Sequence, residues 1–436
     1  MEDKQGRTGI SRRDFIKAAG ATAAGVVASS LITNKVFAAS GATMAAPRVI
    51  GANDRINIAH IGVGGMGSGH VGNFQVIKDQ VNTASIAVCD VWDKRRKDVQ
   101  GRIGCPDNMV FSDYRKLLEN KDIDAVVIAT PDHWHAPIAI AAMEAGKHVY
   151  VEKPMTHTLE EAFKMHEVTR RTKRILQVGS QGCTDAKWHT AGQVIKDGKI
   201  GKVICAQGSY CRNNPSGEWN YGIDPEMTEQ TCDWKQWLGV APKRPFSPER
   251  YFRWRKYWDY GTGIIGDLWP HRLHPLMIAM ASTDFPKRVA CVGANICDTD
   301  KGNGELRDVA DATMLSVEFP NGMMIYLLGS TVNEQGIPDM IRGQKATLYF
   351  GGDKVQIKPE RPFSDEIEEA DVPVVGPGED QKEHAKNWLQ CIRDNKDPNC
   401  NIDLALRVQT IVSLAERSYR ESKMMNFDPI KQKIVG

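Results

Sequence analysis

Asp267 and His271 stand four residues apart behind the glycine-rich stretch Gly261-Thr262-Gly263-Ile264-Ile265-Gly266. If a helix starts at Gly266 or Asp267, Pro270 falls in its first turn, where a missing N–H costs nothing, and both side chains reach one site. Near a helix N-terminus the dipole disfavours imidazolium, so the pair suits a neutral proton acceptor with a carboxylate beside it. The plain alternative is an N-capping Asp followed by an ordinary histidine. Far upstream, Gly62-Val63-Gly64-Gly65-Met66-Gly67 gives G-x-G-x-x-G directly after the apolar run 56–61, and Asp90 closes the next apolar run. Gly62 would allow a tight turn, Gly64 the close approach of a pyrophosphate and Gly67 the packing of helix on strand, with the helix N-terminus facing the phosphate charge. Asp90 would accept from both ribose hydroxyls and repel a 2′-phosphate, which favours NAD over NADP. Lys94, Arg95 and Arg96 follow closely and could offset that repulsion, so NADP stays possible.

The elements that must carry these groups follow from the pattern of apolar runs. Segments 56–61, 85–90, 125–130, 149–151 and 175–178, with a weaker one near Met109, alternate with stretches of helical length, which gives a doubly wound α/β sheet. Further strands are expected at 289–296, 313–319, 323–328 and 346–350, and helices at 384–394 and 403–419. The acidic, Pro- and Gly-containing stretch 366–380 reads as a surface loop. At 436 residues, with 56 Lys and Arg against 54 Asp and Glu, the chain has room for several domains and no charge footprint for nucleic acid. Ten cysteines include no C-x-x-C pair, so mostly buried thiols are expected.

Two more stretches turn this generic sheet into a family. Ala129-Thr130-Pro131-Asp132-His133-Trp134-His135 ends the fourth strand and Glu152-Lys153-Pro154 ends the next. With G-x-G-x-x-G and D-x-x-x-H, these motifs resemble the Gfo/Idh/MocA oxidoreductases, over nearly the whole chain beyond residue 53. The resemblance implies a Rossmann dinucleotide-binding domain at 53–182 and an α+β domain with a large, mainly antiparallel open sheet at 183–380. C-terminal helices at 381–436 would pack back on the first domain, and a homodimer or homotetramer is implied. It makes Lys153, Asp267 and His271 the catalytic group: Lys153 hydrogen-bonds the reacting hydroxyl, His271 takes its proton and Asp267 orients substrate or base.

Cofactor contacts are expected from Gly62, Val63, Gly64, Gly65, Met66, Gly67, Asp90, Arg95, Thr130, Pro131, His133, His135, Glu152, Lys153 and Gln181. Substrate contacts are expected from Lys153, Tyr210, Asp267, His271 and His274, the last standing where the family pattern has an acid. His133 and His135 could form an H-x-H metal pair, but no third ligand is marked nearby and the family gives this loop to the nicotinamide, so no metal is expected. Seven of the ten tryptophans lie between 188 and 269, a density that suits the apolar faces of sugar rings as well as a large core. The implied activity is hydride transfer between a sugar or polyol and a tightly bound nicotinamide dinucleotide. An NAD-dependent glycosidase working by oxidation, elimination, hydration and reduction needs the same residues, and a non-catalytic binding homologue is a third reading.

Ser11-Arg12-Arg13-Asp14-Phe15-Ile16-Lys17, a short apolar run and Val36-Phe37-Ala38 resemble a twin-arginine export signal ending at residue 38. The run is too short and too rich in small residues for a stable membrane span. The periplasm is the implied destination.

Overall fold

A computed structural model describes residues 51, 54–281, 284–297, 300 and 304–435, so the export segment 1–38 lies outside the described residues. The first apolar runs form a parallel sheet of β1 (Ile56–Ile61), β2 (Thr83–Cys89), β3 (Val110–Phe111), β4 (Ala125–Ile128), β5 (His148–Glu152) and β6 (Leu176–Gly179). Their order is β3-β2-β1-β4-β5-β6, so the chain reverses direction beside β1 and opens a crevice at the carboxyl ends of β1 and β4. Alternate side chains serve opposite faces, as the strand period requires. Ile56, Ile58, Val127 and Tyr150 meet Phe74, Trp388 and Leu389 on one face. Ala59, Ile61, Val126, Val149 and Val151 meet Ala139, Met143 and Met165 on the other. Full burial of such side chains stabilises the fold by about 1.5–3 kcal/mol each.

The second sheet has eleven strands: β7 (Val203–Asn213), β8 (Arg288–Ala294), β9 (Ala312–Glu318), β10 (Met324–Ser330), β11 (Val332–Asn333), β12 (Met340–Gly343), β13 (Ala346–Phe350), β14 (Lys354–Pro359), β15 (Ala370–Pro373), β16 (Met425–Asp428) and β17 (Lys433–Val435). Every pairing in it is antiparallel except β7 with β10. Helix Ile402–Glu421 runs against β8 and also against helices Leu159–Thr172 and Pro270–Ala279, which ties the two sheets together.

Three expectations change. The supposed helix from Gly266 is two: Gly263–Asp267 ends at the aspartate and Pro270–Ala279 begins at the proline, because Pro270 has no N–H to continue the ladder. Leu268 and Trp269 both turn their N–H groups to the Ile264 carbonyl between them. The stretch 366–380 contains the edge strand β15, where Lys354 Nζ meets Asp371 Oδ2 at 2.6 Å and Pro373 is tolerated at the outer rim. The C-terminal part 381–436 does not all return to the first sheet: helix Gln381–Asp394 does, through Trp388 and Leu389, whereas β16 pairs with β8 of the second sheet.

Candidate active site

The glycine loop has the geometry its sequence asks for. Gly62 has φ +77°, and a Cβ there would come within 2.8 Å of the Thr130 amide; a Cβ on Gly67 would lie 1.9 Å from the Gly62 carbonyl oxygen. A Cβ on Gly65 would meet nothing within 4 Å, since that position borders open space. Helix Gly65–Ile77 begins with no acidic residue in its first turn, so its N-terminal N–H groups are available to an anion. Asp90 closes β2 with its carboxylate fixed: Oδ2 accepts from the Val63 N–H at 2.8 Å and Oδ1 from the Trp92 N–H at 2.9 Å. Arg95 lies against Gly64, stacks over the Tyr251 ring and donates to the Tyr251 hydroxyl at 2.8 Å.

A cleft of about 530 Å3 runs from this loop to Lys153. Gly62, Gly64, Gly65, Met66, Asp90 and Arg95 line one end; Thr130, Pro131, His135, Glu152 and Lys153 line the other. The second domain supplies the facing wall through Tyr221, Trp237, Tyr251, Trp254 and Arg255. That wall is pinned to the first domain by hydrogen bonds from the Asp93 N–H to the Thr231 carbonyl and from the Asp233 N–H to the Val91 carbonyl, both 3.0 Å, and by the Lys94–Asp224 ion pair at 2.7 Å. Four expected cofactor residues are not on the wall: Val63 and Gly67 support the loop, His133 is buried with Nε2 3.0 Å from the Trp237 carbonyl, and Gln181 is buried in the turn after β6.

Both ring nitrogens of His135 lie on carbonyl oxygens, of Pro154 at 2.7 Å and Thr130 at 2.9 Å, and His133 Nε2 lies on that of Trp237, so these nitrogens of the H-x-H pair are engaged by backbone. Among the described residues no group of three or more His, Cys, Asp or Glu could hold a metal ion. Glu152 is held by the His70 Nε2 at 2.7 Å and by the Lys153 N–H at 3.2 Å. Burial works against its carboxylate, but His70 and Lys153 hold it below its ordinary value.

Lys153 and Asp267, 114 residues apart, meet directly: Lys153 Nζ donates to Asp267 Oδ1 at 2.8 Å and to its carbonyl at 2.7 Å. Arg255 Nε donates to the same Oδ1 at 2.9 Å. Burial alone would raise the Asp267 carboxyl, yet the two cations hold it well below the usual carboxylate range. Neither Asp267 nor His271 is among the residues that line the cleft or the hollow beside Tyr210; the His271 ring lies 5.3 Å from that of Tyr210, and its Nδ1 is buried with no hydrogen-bond partner among the described residues. Burial, and then the nearby Lys153 ammonium, push His271 down to about 3, so it is neutral as the sequence predicts, though the helix end is not the main reason.

Tyr210 is flanked by the guanidinium groups of Arg212 and Arg272 and borders a polar hollow with Arg272, Glu334 and Glu379. His274 does not reach either cavity: it is 1% exposed and its Nδ1 turns back 2.9 Å from the Pro270 carbonyl. Of the tryptophans between 188 and 269, only Trp237 and Trp254 line the cleft, while Trp188, Trp219 and Trp269 are core.

Arg255, Asp132 and Tyr221 were not singled out by the sequence, whereas Tyr251 is one of the tyrosines interleaved with the tryptophans of 188–269. Asp132 lies within the quoted A-T-P-D-H-W-H motif, which was the available signal. Its carboxyl is buried and pushed well above its ordinary value, mainly by burial and further by Asp267, against the opposing effect of Arg255. Arg255 sits in the run Arg253-Trp254-Arg255-Lys256, which alone reads as a solvated basic turn.

These features define a nucleotide-binding oxidoreductase fold, and comparison with known proteins places it. Residues 56–180 match the oxidoreductase family with an NAD-binding Rossmann fold, GFO_IDH_MocA, and residues 214–436 match the C-terminal alpha/beta domain of the same family. The chain belongs to the Gfo/Idh/MocA oxidoreductase family. Residues 9–29 match the twin-arginine translocation signal sequence.

Among curated relatives, a glycosyl hydrolase family 109 protein of Shewanella pealeana is 37% identical over 175 residues, 38% of this chain and 38% of that protein. One from Shewanella baltica is 33% identical over 214 residues, 46% of each. The chain thus spans less than half the length of these curated relatives. Among solved structures, levoglucosan dehydrogenase in complex with NADH and levoglucosan shares the fold with a TM-score of 0.67 at 20% identity, over 86% of this chain and 99% of that one. Aldose-aldose oxidoreductase from Caulobacter crescentus, complexed with glycerol, has a TM-score of 0.62 at 17% identity, over 86% and 100%.

Proposed function

We propose that this protein is an exported oxidoreductase acting on a carbinol carbon of a sugar or polyol, with its nicotinamide dinucleotide held permanently. The observation that carries the reading is the Lys153–Asp267 pair, with Lys153 on the wall of the dinucleotide cleft and His271 close enough to feel its charge. The glycine loop and Asp90 fit NAD: Gly65 borders open space in the cleft that a Cβ would enter, and Asp90 lines the same cleft at the end of β2. A nicotinamide dinucleotide held there would supply a reversible hydride acceptor for the substrate carbon.

The remaining chemistry belongs to the chain. Lys153 uses two donors on Asp267 and keeps a third for the reacting hydroxyl. His271, neutral across the physiological range, takes the hydroxyl proton. Asp267 positions Lys153 rather than the histidine. Gly62, Gly64, Gly65, Met66, Asp90 and Arg95 hold the dinucleotide at one end, and Thr130, Pro131, His135 and Glu152 at the other, over supporting Val63, Gly67, His133 and Gln181; Tyr210 contributes to the substrate side. On this reading 1–38 is the export signal, 53–182 the nucleotide domain and 183–380 the substrate domain, while 381–436 joins the two.

The export signal supports a periplasmic site of action. With no cytoplasmic NAD pool there, the enzyme must restore its cofactor within each cycle. The open face of the second sheet supports a homo-oligomer, because Val292, Met314, Met324 and Tyr326 stand on it exposed. The names of the relatives favour one further reading, a glycosidase that oxidises, eliminates, hydrates and reduces. The test is to dialyse native enzyme, then follow the bound nicotinamide absorbance and aglycone release with free sugars, polyols and aryl glycosides and no added NAD. Sugar-dependent reduction supports the dehydrogenase, aglycone release supports the glycosidase, and activity only with free NAD overturns the permanently held cofactor.

A further inference from the structure

The cleft wall carries a cation that the proton chemistry leaves unused. Arg255 lies in the turn Trp254–Lys256 with its guanidinium carbon 4.2 Å from the centre of the Trp254 ring, and its Nε donates to Asp267 Oδ1. A guanidinium has five N–H donors in a rigid plane, so four remain on Nη1 and Nη2. Among the described residues no acceptor takes any of them. Neighbouring arginines are different: Arg250 places a terminal nitrogen on Glu305 at 2.6 Å and Arg253 one on Glu249 at 2.7 Å.

The free edge of Arg255 therefore lies on the cleft wall beside Lys153 and Tyr221, its side chain 23% exposed. The carboxyl groups around it do not balance that edge. Asp267 is shared with Lys153, Glu152 is taken by His70, and Asp132 makes no hydrogen bond to the guanidinium and is kept toward its neutral form by burial. A stacked, one-sidedly anchored guanidinium with two parallel N–H donors is matched to a carboxylate.

We propose that the substrate is a sugar acid, its carboxylate seated bidentately on the Nη edge of Arg255 while Lys153 holds the hydroxyl to be oxidised. This rests on the oxidation reading of Lys153 and His271, which it deepens by naming the substrate class. Charge-assisted pairing of this kind gives the acid an advantage of about 10- to 100-fold in Kd over its neutral counterpart.

Isothermal titration of the cofactor-loaded protein with galacturonate against galactose, glucuronate against glucose and gluconate against sorbitol measures that ratio. At least one acid is expected to bind 10- to 100-fold tighter. In Arg255→Gln the ratio within that pair should collapse towards one, and Arg255→Lys should restore part of it; dinucleotide content and melting temperature show that each variant is folded. Equal or tighter binding of every neutral partner, no acid binding at millimolar concentration, or an acid preference that survives in Arg255→Gln overturns the proposal. Nicotinamide absorbance recorded in parallel separates the two readings. Reduction by neutral sugars with rejection of acids leaves the oxidation site standing and removes the acid. Arg255-dependent acid binding without reduction does the reverse.

Discussion

The Lys153 ammonium is held by Asp267 twice, through the side-chain oxygen at 2.8 Å and the backbone oxygen at 2.7 Å, so one residue fixes both its position and its direction. The contact is nearly dry, with the two side chains 7% and 11% exposed. It joins the end of β5 in the first domain to the short helix Gly263–Asp267 in the second, and Arg255 leans on the same carboxylate. One anion thus organises two cations on the cleft wall.

Replacing Asp267 by Asn leaves those two cations facing each other. The expected loss of folding stability is about 3 kcal/mol, because removing one partner strands a buried charge. Turnover should fall at least about 100-fold through the misplaced lysine. Urea unfolding of Asp267→Asn and of Asp267→Asn/Lys153→Met measures the coupling: the double variant should recover part of the loss. Equal stability of wild type and Asp267→Asn would contradict the pair's role.

Acid should weaken the fold in a defined window. Burial pushes His60, His133, His148 and His271 down to about 3, and His135, His274 and His384 down to about 4. An unfolded histidine titrates near 6.5, so between about 6.5 and 3–4 the unfolded chain binds more protons than the folded one. Stability is complete above about 6.5 and falls as pH drops, by up to about 1.4 kcal/mol per pH unit for each group. Urea midpoints at pH 7.5, 6 and 5 check the trend. In the same range kcat/KM should show no limb near 6.5 from His271; a limb there that vanishes in His271→Ala would mean the base titrates normally.

Gly65 and Gly67 separate ligand space from protein packing. Ala at position 67 collides with the Gly62 carbonyl, so Gly67→Ala should cost about 1–3 kcal/mol and release the dinucleotide. Ala at position 65 touches no protein atom, so the cofactor-free Gly65→Ala should melt no lower than wild type while its NAD affinity drops. Calorimetry with and without NAD distinguishes the two; a lower melting temperature for cofactor-free Gly65→Ala would show that the space is not a ligand's.

Asp90 should govern cofactor choice. Asp90→Ala removes the carboxylate that repels a 2′-phosphate and leaves Arg95 beside the site, so the NAD to NADP preference should shift toward NADP by about 10-fold or more. Titration of cofactor-stripped protein with each dinucleotide gives the ratio. An unchanged ratio would assign Asp90 to loop support alone, through its bonds to the Val63 and Trp92 amides.

The exposed face of the second sheet should hold subunits together. Met314 is 60% exposed and lies opposite Val292 across β8 and β9. Met314→Asp should lower the mass measured by light scattering to that of one chain without lowering nucleotide content. A wild-type protein that is already monomeric at micromolar concentration removes the oligomer.

The parts legible in the sequence are those set by local backbone chemistry. Gly62 must turn with positive φ, Gly67 must pass a carbonyl closely, the apolar runs of the first domain must be covered on both faces, and Asp90 must end its strand. Nothing local specifies which distant side chain meets Lys153, or that an arginine from the aromatic turn before the glycine-rich segment completes the pair. Those contacts depend on how segments over 100 residues apart in the chain come together, and it is likewise only the tertiary structure that leaves His274 off the cleft and Trp188, Trp219 and Trp269 in the core. Pro270 shows the boundary between the two kinds of information. Its missing N–H is a local fact that ends one helix and starts the next, whereas the partner that Asp267 meets at that break, Lys153 from 114 residues away, was decided by the tertiary structure.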